Sequence, residues 1–189
     1  MSINKTATTQ YPVIDLIRQR WSPRSFADKA ISPDDMHTIL EAASWSFSAM
    51  NEQPWRYAVA YRGTALFDTF SSWLAAGNQP WAKHAAALVL SSTVTSFASG
   101  RPYPDALHDA GAANMLLTLQ AGSMGIGVHP MAGFDKAAAE SFLPEGLQPV
   151  IMLAMGYPDT HEKLDEPYRT RELAPRTRKS LNEFLLNAE

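Results

Sequence analysis

DALHDAGAANMLLTLQAGSMGIG, residues 105–127, reads as one long helix over Asp105–Met124 closed by Gly125 and Gly127, because glycine just past the last periodic residue ends a helix. Its place in the chain decides the fold class. The glycine cluster follows a helix, whereas a dinucleotide fingerprint sets its glycines between a strand and a helix. A doubly wound nucleotide fold therefore falls away. The wider weakly polar run Ala110–Met131 is interrupted by Asn114, Gln120, Ser123 and His129, so it reads as a buried helix with its exit loop and not as a membrane span.

Outward from this helix, Arg56–Tyr61, Ala86–Ser92 and Pro149–Met155 are short apolar runs with β-branched or aromatic content, the pattern of strands. Ser32-Pro33-Asp34-Asp35 is a helix start, a serine cap with proline in the first turn. Met36, Ile39, Leu40 and Ala43 then form one apolar face. Further helices are expected over Ala65–Ala76, from Val13 to a stop near Trp21-Ser22-Pro23, and over Ser180–Leu186. Gly127–Phe134 is expected as a loop, and residues 1–10 as a loose arm. Helices and strands that do not alternate strictly predict an α+β fold, in one domain over residues 1–189.

Charge narrows the function. Sixteen basic and nineteen acidic side chains leave a formal net charge of −3, which argues against nucleic acid or a membrane surface as partner. Any bound anion must meet a local basic cluster. There is no cysteine, so disulfides and thiolate chemistry are excluded and a reducing cytoplasmic setting is expected. The opening MSINKTATTQYP lacks a signal-peptide core. The histidines at 37, 84, 108, 129 and 161 show no i, i+4 pairing, so no metal site is expected. Ser123 lacks nucleophile-elbow spacing. His108 and Asp109 are adjacent on a helix and point to different faces, so they read as cap or surface residues.

Three segments carry possible chemistry. Arg20-Trp21-Ser22-Pro23-Arg24-Ser25-Phe26 sets two guanidinium groups and a hydroxyl on one turn, the donors a phosphate needs; a solvated basic turn is the competing reading. Ser46–Trp55 mixes hydroxyl and amide side chains with aromatics, which suits a flat heteroaromatic ligand, although Trp55 alone reads as core. His129-Pro130-Met131-Ala132-Gly133-Phe134-Asp135 bears a glycine that lets backbone N–H groups approach a ligand, or is simply a turn.

In order and spacing these segments resemble the nitroreductase family of flavoenzymes. The resemblance rests on Arg-x-Ser-x-Arg-x-Phe at 20–26, Asn-x-Gln-Pro-Trp at 51–55, Pro-x-x-Gly-Phe-Asp at 130–135, and the basic Pro175-Arg176-Thr177-Arg178-Lys179, with Met155-Gly156-Tyr157-Pro158 similar to the family's strand exit. It runs from about Ile14 to the last helix. It implies a mixed central sheet surrounded by helices, a homodimer, FMN as cofactor and NAD(P)H as co-substrate. Arg20, Ser22 and Arg178, with Arg176, would then hold the FMN phosphate, Trp21 would be a further cofactor contact, and Arg24 would lie along the ribityl chain or near the pyrimidine edge. Ser48 and Asn51 would reach the ring across the dimer interface, with Asn78 a further contact. Pro130, Met131, Ala132 and Gly133 would run beside the isoalloxazine and offer backbone N–H groups.

The implied reaction is hydride transfer from NAD(P)H through flavin N5 to a small-molecule electron acceptor, a nitroaromatic, quinone or similar flat compound, by a ping-pong cycle. It requires no catalytic side-chain acid, base or nucleophile. Phe47 and Trp81 are the aromatic candidates beside the acceptor. Ala132 stands where many family members carry glutamate, and Phe47 where many carry proline, so the acceptor pocket should differ from theirs. A non-catalytic flavin-binding or sensing protein, or another FMN reaction of the same fold such as an oxidase or dehalogenase, fits the same residues.

Overall fold

The computed structural model describes residues 5–187. A four-stranded sheet in the order β1 (Trp55–Tyr61), β2 (Ala87–Val94), β4 (Leu147–Gly156), β3 (Gly127–Met131) forms its centre. All three pairings are antiparallel, where a mixed sheet was the expectation. The connections explain this: a parallel pair needs a crossover between neighbours, whereas α5 (Ala106–Ser123) joins β2 to β3 and β4 lies between them.

Alternate side chains of the buried strands face two separate cores, as period two requires. Leu88, Leu90, Met152 and Ala154 pack with Phe67, Phe70 and Trp81 on one face, under α3 (Ala65–Trp73), α4 (Gln79–Ala82) and α6 (Lys136–Phe142). Val89, Leu153 and Met155 pack with Met36, Ile39 and Leu117 on the other, under α2 (Pro33–Ser44) and α5. β2 is buried on both faces, which is why it reads as an unbroken apolar run. In α5 the small buried residues Ala106, Ala110, Ala113 and Ala121 let the helix approach the sheet closely.

Ser32 caps α2 by accepting the Asp35 N–H at 3.0 Å, with Pro33 in the first turn. The Gly127–Phe134 loop proves to contain β3. A five-residue edge strand holding a glycine and a proline has no apolar run to announce it. The Ser180–Leu186 helix reduces to a 3₁₀ turn, Leu181–Glu183, since Leu181, Phe184, Leu185 and Leu186 stay exposed and bury no common apolar face to hold a longer helix. Residues 1–4 of the expected loose arm lie outside the described residues. From Lys5 the arm is tied down: Ala7 N–H donates to Arg18 O at 2.9 Å and Lys5 Nζ to Ala174 O at 2.6 Å.

Candidate functional site

Helix α1 (Asp15–Gln19) ends where Arg20 turns extended, and Pro23 prevents its return to helix. The turn that follows is held from below. Glu172, in α7 (Tyr168–Leu173), is 1% exposed, and its carboxylate accepts the backbone N–H groups of Arg24 at 2.9 Å and Ser25 at 3.2 Å. Ser25 Oγ donates to Thr160 O at 2.6 Å. On the outer side, Arg20 Nη1 donates to Ser22 Oγ at 3.4 Å.

This turn meets the end of the chain around a cavity of about 220 Å³. Arg20, Ser22, Arg176 and Arg178, the four residues expected around the phosphate, all line it, together with Trp21, Arg24, Lys5, Arg171 and Glu172. Six cations thus face one acid. Burial lowers the pKa of Arg20, and Arg176 and Arg178 lower it further; burial and then Arg178 do the same to Arg176. These side chains remain protonated and repel one another, which an anion between them would relieve. Arg176 also has a structural duty, since its Nη1 donates to Lys5 O at 2.5 Å and Arg18 O at 2.7 Å.

The turn packs on β3 through Gly127, where a Cβ would stand 2.4 Å from Pro23 Cγ. His129 Nδ1 lies 3.0 Å from Pro23 O and donates to it. Burial lowers the His129 pKa to about 4, so the ring is neutral at pH 7. Its ring lies 4.5 Å from that of Trp81, and the Arg24 guanidinium sits 5.9 Å from the same indole. Trp81 itself is 1% exposed and stands at no opening. Its bulk fills the core beneath Arg24, so it is withdrawn as an acceptor contact.

Beyond β3 the chain turns outward. Met131 sends its side chain into the core and can offer a ligand only backbone. Pro130, Ala132 and Gly133 are exposed. Gly133 O accepts Ala75 N–H at 2.9 Å and Asn78 Nδ2 at 3.2 Å, so Asn78 does join this segment. Among the described residues, the N–H groups of Ala132 and Gly133 meet no protein acceptor. Asp135 accepts Ala138 N–H at 3.0 Å and caps α6, which explains an aspartate closing the motif.

Ser48 and Asn51 belong to a different place. Their loop holds Met50, Asn51 and Gln53 in left-handed backbone, φ 56°, 56° and 52°, a conformation costing about 1–3 kcal/mol per residue. Ser48 Oγ accepts Gln53 N–H at 3.0 Å, and Glu52 Oε1 accepts Ala98 N–H at 2.6 Å. Asp109 Oδ2 accepts Ala49 N–H at 2.9 Å and Tyr103 O–H at 2.5 Å. Burial opposes the Asp109 charge, but the hydrogen bonds from Tyr103, His108 and Ala49 outweigh it and lower its pKa. Asp109 is therefore a buried pin at 2% exposure and no surface residue; it occupies a position on the buried stripe of α5, a signal available in the spacing. Glu172 has no such signal, standing in a polar stretch that no periodicity marks.

The loop enters β1 at one edge of the sheet, while the Arg20–Arg24 turn that lines the cation cavity packs on β3 at the other; the two edge strands are three strand spacings, roughly 14 Å, apart. Phe47 is 66% exposed there beside Trp45 at 81% and Met50 at 80%.

The chain matches the model of the Nitroreductase family over residues 17–72 and 63–157. It belongs to the nitroreductase family. Membership makes it an oxidoreductase by class. An Archaeoglobus fulgidus protein with the provisional name NADH dehydrogenase/NAD(P)H nitroreductase is 33% identical to it over 152 residues, 77% of this chain and 84% of that one. The solved structure of an oxidoreductase containing FMN superposes with a TM-score of 0.90 at 31% identity, covering 100% of this chain and 98% of the other. A provisionally named nitroreductase of Desulfovibrio desulfuricans, solved in complex with FMN, shares the fold at TM-score 0.75 and 24% identity, over 96% and 99% of the two chains. Within this nitroreductase-family chain, the matched residues include the Arg20–Arg24 turn, Asn78 and the Pro130–Gly133 segment, while Arg176 and Arg178 lie beyond them.

Proposed function

We propose that this nitroreductase-family chain is an FMN-dependent, NAD(P)H-oxidising reductase that acts as a homodimer on flat electron acceptors. The observation that carries this reading is the cavity that gathers Arg20, Arg176 and Arg178, where burial and then the charges of Arg176 and Arg178 lower the pKa of Arg20. A phosphate dianion suits that arrangement, and FMN in the related oxidoreductase carries one. The exposed, unpartnered N–H groups of Ala132 and Gly133 fit the polar edge of a planar ring.

When bound, FMN supplies hydride acceptance and release. The chain supplies position and field. Arg20, Ser22 and Arg178 hold the phosphate, with Arg176 fixing the arm that walls the site. Arg24, fixed by Glu172 below and the Trp81 ring beside it, is a standing cation that would lie along the ribityl chain or near the pyrimidine edge, and in the latter place would stabilise negative charge without reorganising. Asn78 braces the Gly133 segment. Ser48 and Asn51 sit at the opposite sheet edge, so one flavin meets both groups only if the partner subunit supplies the loop. Phe47, exposed in that loop, is the aromatic side chain available to stack on an acceptor. A single open face would serve donor and acceptor in turn.

Anaerobic titration of the purified protein with NADH and with NADPH tests this, read at the blue flavin absorbance. Bleaching by a nicotinamide, recovery on adding a quinone or nitroaromatic, and parallel double-reciprocal lines are expected. Bound flavin that neither nicotinamide bleaches would overturn the reductase reading in favour of a flavin-binding protein.

A further inference from the structure

The cation cavity holds more positive charge than one phosphate needs. Six cations face one acid, while a phosphate monoester carries about −1.5 to −2. The surplus leads somewhere. Lys5, Arg176 and Arg178 also line a second, larger cavity of about 600 Å³ between the N-terminal arm and the segment 173–181, a volume typical of small-molecule sites. Lys179 adds a fourth cation there, and it forms no ion pair among the described residues. No acidic side chain lines this cavity among those residues.

Its lining also carries large apolar groups. Tyr11, Leu173 and Leu181 are 56%, 49% and 42% exposed, and all three face this one cavity. Large apolar groups left open beside a cationic wall suit a ligand with an anion at one end and a flat apolar ring at the other. The walls are also set in advance, the arm being held by Arg176 Nη1 to Lys5 O at 2.5 Å and by Ala7 N–H to Arg18 O at 2.9 Å.

We infer that this cavity is an adenylate site contiguous with the phosphate cradle, Lys179 and the shared cations taking the phosphate and Tyr11 the purine. The inference rests on the cradle holding a flavin phosphate. An adenylate could arrive joined to the flavin, as in FAD, or on a separate nucleotide, and both present the same chemistry to the walls.

The test is calorimetric titration of the flavin-free protein with FMN, FAD and 5′-ADP, and of the FMN-loaded protein with 5′-ADP. One added charge-assisted contact corresponds to a gain of about tenfold or more. FAD should therefore bind at least about tenfold more tightly than FMN, and Lys179→Ala and Tyr11→Ala should each remove most of that gain while FMN affinity holds. Equal FAD and FMN affinities, with 5′-ADP binding the FMN-loaded protein and weakened by the same substitutions, would assign the site to a separate nucleotide. FMN binding with no FAD gain and no 5′-ADP binding overturns the adenylate site alone, as does an FAD gain that both substitutions leave untouched. If neither flavin binds, the cofactor reading fails, and 5′-ADP binding to the flavin-free protein that Lys179→Ala abolishes still upholds the site, its absence refuting it.

Discussion

The carboxylate of Glu172 accepts the backbone N–H of Arg24 at 2.9 and 3.2 Å and also lies 3.7 Å from that residue's own guanidinium. One buried acid thus sets both the path of the turn and the place of its cation. Glu172→Ala leaves two backbone donors without acceptors inside a cationic cavity. Breaking a buried pair costs about 3–5 kcal/mol; Arg24 is partly solvated, so about 2–3 kcal/mol is expected here. Thermal unfolding should then fall by roughly 4–12 °C. Glu172→Gln, which keeps an acceptor, should recover part of the loss, and a melting temperature unchanged in Glu172→Ala would remove the carboxylate from this role.

Arg20 makes the opposite case, because it is held among like charges. Arg20→Ala should weaken FMN binding by roughly ten- to a hundredfold, the worth of one charge-assisted contact. The flavin-free variant should unfold no lower than wild type, since the substitution relieves repulsion from Arg176 and Arg178. Fluorescence titration compares FMN with riboflavin: riboflavin should bind wild type poorly, and equal affinities for the two would exclude a phosphate cradle.

How far the chain could be read from its residues follows from where each signal lives. Strand β2 announces itself as an unbroken apolar run because both its faces are buried, β1 and β4 as short apolar runs beside it, α2 because burial on one face imposes a period, and α5 through its length and the glycines that close it. The Arg20–Arg24 turn and Arg176 with Arg178 are legible as local basic motifs, and the structure brings them to one cavity. Strand β3 was not legible, as its five residues gain their pairing from β4 alone. Glu172 acts on a turn 148 residues away, and no local pattern encodes such a contact. Trp81 was misplaced for a related reason: an aromatic beside Asn78 looks the same in sequence whether it faces a ligand or the core.

Gly127 offers a steric test. A methyl group there would meet Pro23 Cγ at 2.4 Å and Pro158 Cγ at 3.1 Å, and prolyl rings cannot swing aside as a flexible chain would. Gly127→Ala should push the Arg20–Arg24 turn off β3 at an overpacking cost of about 1–3 kcal/mol. Flavin affinity should fall more than stability does. Unchanged flavin content in purified Gly127→Ala would show that the turn need not sit on β3.

The exposed Trp45, Phe47 and Met50 flank the strained loop that carries Ser48 and Asn51. Such a patch marks a contact surface, and the proposed dimer would cover it. Trp45→Lys with Met50→Lys should shift sedimentation from dimer to monomer and lower flavin content in parallel. A monomer at micromolar concentration that retains full flavin would separate assembly from cofactor binding and refute the shared site.

His129 gives the acid limb of stability. Its pKa falls from 6.5 to about 4 in the fold, first because burial disfavours the imidazolium and then because Arg24 and Arg20 add their charge, against the favourable carbonyl of Pro23. Between those values the unfolded chain binds a proton that the folded chain does not, so stability rises with pH across that window. The contribution is therefore complete above about pH 6.5 and is lost as pH drops toward 4, a change of about 3 kcal/mol at 1.36 kcal/mol per pH unit. Burial, Lys83, Arg62 and Lys163 lower the His84 pKa as well, so the comparison must be with a variant and not with a flat line. In His129→Gln the amide can still donate toward Pro23 O but cannot titrate. Urea midpoints at pH 7.5 and 4.5 should fall less for His129→Gln than for wild type, and parallel falls in the two proteins would place the acid sensitivity elsewhere.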